Sequence, residues 1–173
     1  VTCPPNIDFE LGNLNNWQFY IGTCCPVNAN TPTAPLANRH TITSGAGIDP
    51  YGLFPIVSPG GGSYSLKLGN SGTGAQAERA RYTFTVPIGL NNYSLIYKYA
   101  VVFEDPQHSP ADQPRFVVKV FNAVTNQTLP CADYTYVAAA NLPGFQTSNF
   151  GNNVRFKSWA TASINLSGYA GQT

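Results

Sequence analysis

SYSLKLGN, residues 63–70, alternates large apolar side chains with small or charged ones, so that Tyr64, Leu66 and Leu68 fall on one side of an extended chain and Ser65 and Lys67 on the other. A period of two belongs to a strand with one buried face, and the Gly69-Asn70 pair that follows is a turn signal. The pattern recurs along the chain. ARYTFTVP (80–87) places Tyr82, Phe84 and Val86 on one face, and YSLIYKYAVVF (93–103), RFVVKVFNA (115–123), ADYTYVA (132–138) and VRFKSWATASINL (154–166) repeat it. The nearest approach to a helical pattern is AQAERARY (75–82), and its continuation into TFTVP reads better as strand. VTNQT (124–128) has the composition of a hairpin tip with Asn126 at the turn. Turn-rich connections occupy 26–38, 43–62, 104–114 and 141–152. Short strands joined by such loops predict an all-β, antiparallel β-sandwich. Phe9, Trp17, Tyr64, Phe84, Tyr97, Phe116 and Trp159 are its expected core aromatics.

The 173 residues suit one domain over 1–173, with enough chain to bury a core of its own. Only 10% of residues are charged, against roughly a quarter in ordinary soluble proteins, while Gly, Pro, Tyr and Phe are frequent. The net charge is +1 with the basic residues scattered, which gives no footprint for nucleic acid or an anionic membrane. No apolar run reaches the roughly 20 residues that a membrane-spanning helix needs. The sequence starts at Val1 and has no methionine, so a processed N-terminus and a secreted or cell-surface location are expected. Cys3, Cys24, Cys25 and Cys131 lack zinc-ligand spacing and read as disulfide partners in an oxidising compartment. Adjacent Cys24 and Cys25 are closer than an ordinary disulfide allows, so each is expected to reach a distant partner, Cys3 or Cys131.

Chemistry-bearing residues fall in three places. In NIDFELGNLNNW (6–17), alternation sends Phe9 inward and turns Asp8 and Glu10 the other way. Such a pair can serve as Ca²⁺ ligands or as charges that protect an edge strand; an acid/base pair is disfavoured so near a chain end. VFEDPQHSPADQPRF (102–116) holds the richest polar cluster: Glu104, Asp105, His108, Asp112 and Arg115, braced by Pro106, Pro110 and Pro114. It reads as a solvated loop with Arg115 paired to an acid, or as a binding surface. GIDPYGLFPIVSPGGGSY (47–64) offers Tyr51 and Phe54 for stacking on a sugar ring or for packing within the loop. No serine-hydrolase, metalloprotease, phosphate-loop or dinucleotide motif is present, which argues against an enzyme.

With these segments in view, the chain resembles two related groups. The succession DFELGNLNNW, RHTITSGAG, SYSLKLGN, YSLIYKYAVVF and SWATASINLSGYAGQ is similar to the strand order of MAM-type and carbohydrate-binding-module-type jelly rolls. GTCCP, GSYSLKLGN, AERARYTFTVP, VFEDPQHSPADQPRF and SGYAGQT resemble an N-terminal module of large secreted Bacteroidota surface proteins, gliding-motility-associated and adhesin-like, exported by the type IX route. The resemblance implies a jelly roll, structural Ca²⁺ held by Glu10 and Asp8, and a role in adhesion or recognition. It also implies a fragment: in that group, chain beyond YAGQ supplies further strands and a cysteine, whereas this sequence ends at Thr173. The expected activity is non-catalytic binding of a glycan or another surface component through Tyr51, Phe54, Glu104, Asp105, His108 and Arg115. The alternative is an assembly module whose open sheet edge takes a strand from a neighbouring domain or another copy.

Overall fold

A computed structural model describes residues 3–89 and 92–173. Among them there is no helix, and ten strands are present: β1 (Gln18–Thr23), β2 (Asn28–Thr33), β3 (His40–Ser44), β4 (Tyr64–Leu68), β5 (Gln76–Arg81), β6 (Ser94–Glu104), β7 (Arg115–Phe121), β8 (Thr128–Val137), β9 (Gln146–Thr147) and β10 (Val154–Asn165). All named pairings are antiparallel. The chain forms two compact units, one of Val1–Tyr82 with His108–Asp112 and one of Thr83–Gln107 with Gln113–Thr173.

In the first unit the sheet β2-β1-β5 packs against the hairpin β3-β4. Phe19 on β1 and His40 on β3 meet with ring centroids 4.8 Å apart, both buried. His40 Nδ1 accepts the Leu36 N–H, so Nε2 carries the hydrogen that bonds the Tyr20 carbonyl 3.3 Å away. Arg39 pairs with Glu78 and donates to the Ala77 carbonyl, tying β3 to β5. Gly22 is required where β1 turns into β2, since a Cβ there would overlap the backbone of Asn28.

In the second unit the sheet β6-β10-β9 and the hairpin β7-β8 enclose two apolar clusters. β6 shows the expected period: Leu95, Tyr97, Tyr99, Val101 and Phe103 join the clusters, while Ser94, Ile96 and Lys98 are exposed. From Ala132 onward, even-numbered residues of β8 answer from the facing layer, with Ala132 buried and Tyr134 and Tyr136 half-buried, and Ala138 just past the strand is buried too. The tyrosines pair across the layers, Tyr97 with Tyr134 at 3.1 Å and Tyr99 with Tyr136 at 3.0 Å between hydroxyl oxygens. A bulge in β10 between Lys157 and Ala160 shifts its register against β6.

The strand expectation holds in class and needs correction in extent and, at β4, in face, since Ser65 is buried and Leu68 exposed. Residues 82–86 lie beyond β5, although their burial still alternates toward a buried Val86. The segment 28–33 belongs to an expected loop yet forms β2. The opening segment is not a strand: residues 5–8 and 10–12 form turns and bends, and Phe9 sits at φ 65°.

Candidate functional site

Residues 6–17 fold around Asn6, an interior side chain in a left-handed backbone conformation that asparagine tolerates well. Its amide nitrogen donates to the carbonyls of Asn13 (3.0 Å) and Asn15 (2.9 Å), and its amide oxygen accepts the Leu11 N–H at 3.1 Å. The Asn6 carbonyl accepts the Trp17 indole N–H at 2.9 Å. Phe9 stacks on Trp17 at 4.6 Å and Tyr82 meets the indole edge-on at 5.1 Å. The segment is therefore a polar cradle that fixes one tryptophan.

Asp8 and Glu10 act within this cradle. Asp8 Oδ1 accepts the Glu10 N–H at 3.2 Å, while the Glu10 carboxylate accepts the N–H of Ser63 (2.9 and 3.0 Å) and of Tyr64 (3.1 Å). Gly62, at φ 113°, adopts a backbone conformation that favours glycine and lies against the Glu10 carboxyl. Ca²⁺ takes six to eight oxygens, and these carboxylates already face N–H dipoles whose positive ends oppose a cation. No third acidic, histidine or cysteine side chain joins them in a ligand cluster among the described residues. Glu10 thus clamps the N-terminal segment to the start of β4, and Asp8 braces the Glu10 backbone.

The other two expected sites are ordered loops. Asp49 Oδ1 accepts the Tyr51 and Gly52 N–H groups at 3.0 and 2.8 Å, and the Asp49 N–H reaches the Phe54 carbonyl at 2.8 Å. Phe54 is buried against Gly52, so it anchors the loop from within, while Tyr51 stays half-buried. Glu104 and Asp105, consecutive at the end of β6, diverge: exposed Glu104 accepts the Asn153 side-chain amide at 3.1 Å, whereas Asp105 turns inward. Asp105 Oδ1 accepts the Gln113 amide at 2.7 Å and the Gln107 N–H at 3.0 Å. These bonds, with the Arg155 guanidinium nearby, hold its carboxyl below the usual range against the opposing effect of burial. Arg115 lies with Asp105 in the second unit and its Nε points to the Gln113 carbonyl at 3.4 Å, while exposed His108 belongs to the first unit. Gln113 links two of them, its side-chain amide bonding Asp105 and its carbonyl facing Arg115.

The described residues include an open groove that the sequence reading passed over. A groove of about 380 Å³ runs along β1 and the end of β2, lined by Trp17, Gln18, Phe19, Tyr20 and residues 32–35, Pro-Thr-Ala-Pro. Tyr20 opposes Pro32 in the β1-β2 register, and its hydroxyl reaches the Gln18 side-chain carbonyl at 3.4 Å. Arg79 on β5 lies 3.9 Å from the Tyr20 ring centroid and donates to the Asn30 side-chain oxygen at 3.0 Å. This is an aromatic and proline surface with a few amide and hydroxyl groups, in the size range of small-ligand sites. No lining side chain is an acid, a histidine or a cysteine. The available signal was WQFY followed closely by TPTAP: aromatic and amide residues on the outer positions of a strand, beside prolines.

The cysteines correct the expected pairing. Cys24 and Cys25 are bonded to each other in the turn between β1 and β2, with Cα atoms 3.1 Å apart across a cis peptide, and Cys3 and Cys131 are free and exposed. The expectation assumed the Cα spacing of an ordinary disulfide; a ring closed between neighbours uses a shorter one.

Comparison of the chain with family models, with curated proteins and with solved structures gave no match.

Proposed function

We propose that this protein is a non-catalytic recognition module of the cell exterior that binds a glycan in the groove between β1 and β2. One observation carries the reading: the groove combines Trp17 and Tyr20 with Gln18, Thr33 and prolines, and lacks an acid, a histidine or a cysteine in its lining. Sugar rings present apolar C–H faces and a rim of hydroxyls, which aromatic faces and neutral amides match. Turning over a glycosidic bond takes a pair of carboxyl groups about 5–10 Å apart, and the groove provides none. The Asn6 cradle holds Trp17 in place before any ligand arrives, which lowers the ordering cost of binding. The Cys24–Cys25 disulfide supports an oxidising location.

A glycan array probed with the intact chain tests this directly. The expected result is a set of related oligosaccharides retained, with Tyr20→Ala and Gln18→Ala each weakening binding about ten-fold, equivalent to about 1.4 kcal/mol. A blank array, or hits indifferent to both substitutions, contradicts it.

The two-stranded sheets favour a second reading, assembly by strand addition. β7 is hydrogen-bonded to β8 alone among the named strands and carries exposed Val117, so one of its edges can take a strand. Sedimentation separates the readings: assembly predicts mass that grows with concentration, and a monomer at every concentration removes it.

A further inference from the structure

We propose that Cys24, Cys25 and Asp112 form a redox-gated site for a thiophilic divalent cation of the zinc and cadmium class. The two sulfurs and an Asp112 carboxylate oxygen lie within 4.8 Å of one another, all in the first unit. Ligands about 2.0–2.3 Å from a tetrahedral ion stand roughly 3.5–3.8 Å apart, so small side-chain movements complete the arrangement once the sulfur–sulfur bond is open. Both sides of the site are anchored by backbone. The Cys24 N–H donates to the Ala75 carbonyl at 2.9 Å, and Asp112 sits in a turn closed by its own N–H to the Ser109 carbonyl at 2.9 Å.

Ser109 Oγ donates to Asp112 Oδ2 at 2.7 Å, which orients the carboxylate in the way that supporting hydrogen bonds fix metal ligands. The Asp112 backbone carbonyl lies 3.8 Å from Cys24 Sγ, a further oxygen at the same place. Cys25 is exposed, and Cys24 and Asp112 are half-buried, so an ion can enter and keep water in its fourth position. Two thiolates and one carboxylate are the mixture that selects a borderline-soft ion over Ca²⁺ or Mg²⁺.

The gate is the disulfide. A small-molecule or protein dithiol transfers two electrons and two protons to the Cys24–Cys25 bond, leaving two thiols here and becoming a disulfide itself. The divalent ion then displaces the two thiol protons into solvent and takes their place. In the oxidised state the sulfurs have no charge to offer, so the ion is not held.

The test uses the full chain carrying Cys3→Ser and Cys131→Ser, which removes the two exposed free thiols. This protein is reduced with dithiothreitol, desalted without air and titrated with Cd²⁺ while thiolate-to-cadmium absorption and far-ultraviolet circular dichroism are followed. The reduced chain should take up one ion with its β signal intact, and the oxidised chain none. Cys24→Ser or Cys25→Ser should abolish the absorption step. Asp112→Asn should weaken uptake about ten-fold or more, with Asp112→Glu restoring it. The proposal is overturned by a reduced chain that takes up no cadmium, by equal uptake in the oxidised form, or by Asp112→Asn titrating like its parent. Undiminished uptake by a reduced chain that has lost its β signal overturns it as well, because unfolded thiols would then suffice.

Discussion

Asn6 does more for the N-terminal segment than either neighbouring carboxylate, because its amide closes bonds to the backbone at Leu11, Asn13 and Asn15 from an interior position. Replacing it with alanine leaves those groups without their partner and puts a Cβ-bearing residue without a side-chain amide at φ 56°. Asn6→Ala should therefore cost about 2–3 kcal/mol in urea denaturation followed by tryptophan emission. Glu10→Gln should cost less, about 0.5–1 kcal/mol, since its bonds to Ser63 and Tyr64 are exposed to water. Heating with and without a chelator tests the calcium expectation: an unchanged melting temperature removes it, and a drop on chelation supports it. The sequence displayed both carboxylates but not their partners. Glu10 acts on residues more than fifty positions away, and nothing in local alternation reports such a bond. The left-handed backbone at Phe9 is equally silent, and it is what breaks the expected edge strand.

At the level of elements, legibility followed burial. β6, β7, β8 and β10 each put alternate residues into a two-layer core, so period two is written in their composition. β2, Asn28–Thr33, has no buried residue, so no apolar period marks it; only its pairing with β1 makes it a strand. The groove was missed for the same reason, being built on the outer positions of β1 beside that edge. For Phe54 the sequence leaves both stacking and packing within the loop open, and burial against Gly52 places it in the loop interior.

The end of β6 yields a pH prediction. Asp105 has its folded pKa held below the unfolded value of about 3.9, so its contribution is fully present above that value and is lost as pH falls through the folded one. The melting temperatures of the parent and Asp105→Asn should differ at neutral pH, and the difference should shrink as pH falls below the unfolded value of about 3.9. A gap that persists unchanged into acid would exclude this linkage.

For the whole molecule, low charge leaves hydrophobic layers and tyrosine hydroxyls as the main internal structure. Tyr97, Tyr134 and Tyr136 all have pKa values raised above the ordinary 10.0. Burial comes first for Tyr97 and Tyr134, and the hydrogen bond with Tyr99 comes first for Tyr136. The folded state keeps these protons while the unfolded chain releases them near pH 10, so stability must fall as pH rises past about 10. Tyrosinate absorbance should rise in two stages, the later one coinciding with loss of the β signal. A single stage completed with that signal intact would contradict the placement of the cluster.

The central claim is that β1 and the end of β2 carry the recognition site, and chemical-shift mapping tests it most directly. Titration with an oligosaccharide retained on the array should move the backbone amides of Trp17, Gln18, Tyr20, Thr33 and Ala34 and the Trp17 indole, while the sugar stays intact by mass. Shifts centred on residues 47–57 or 104–115, or a cleaved sugar, would contradict the account.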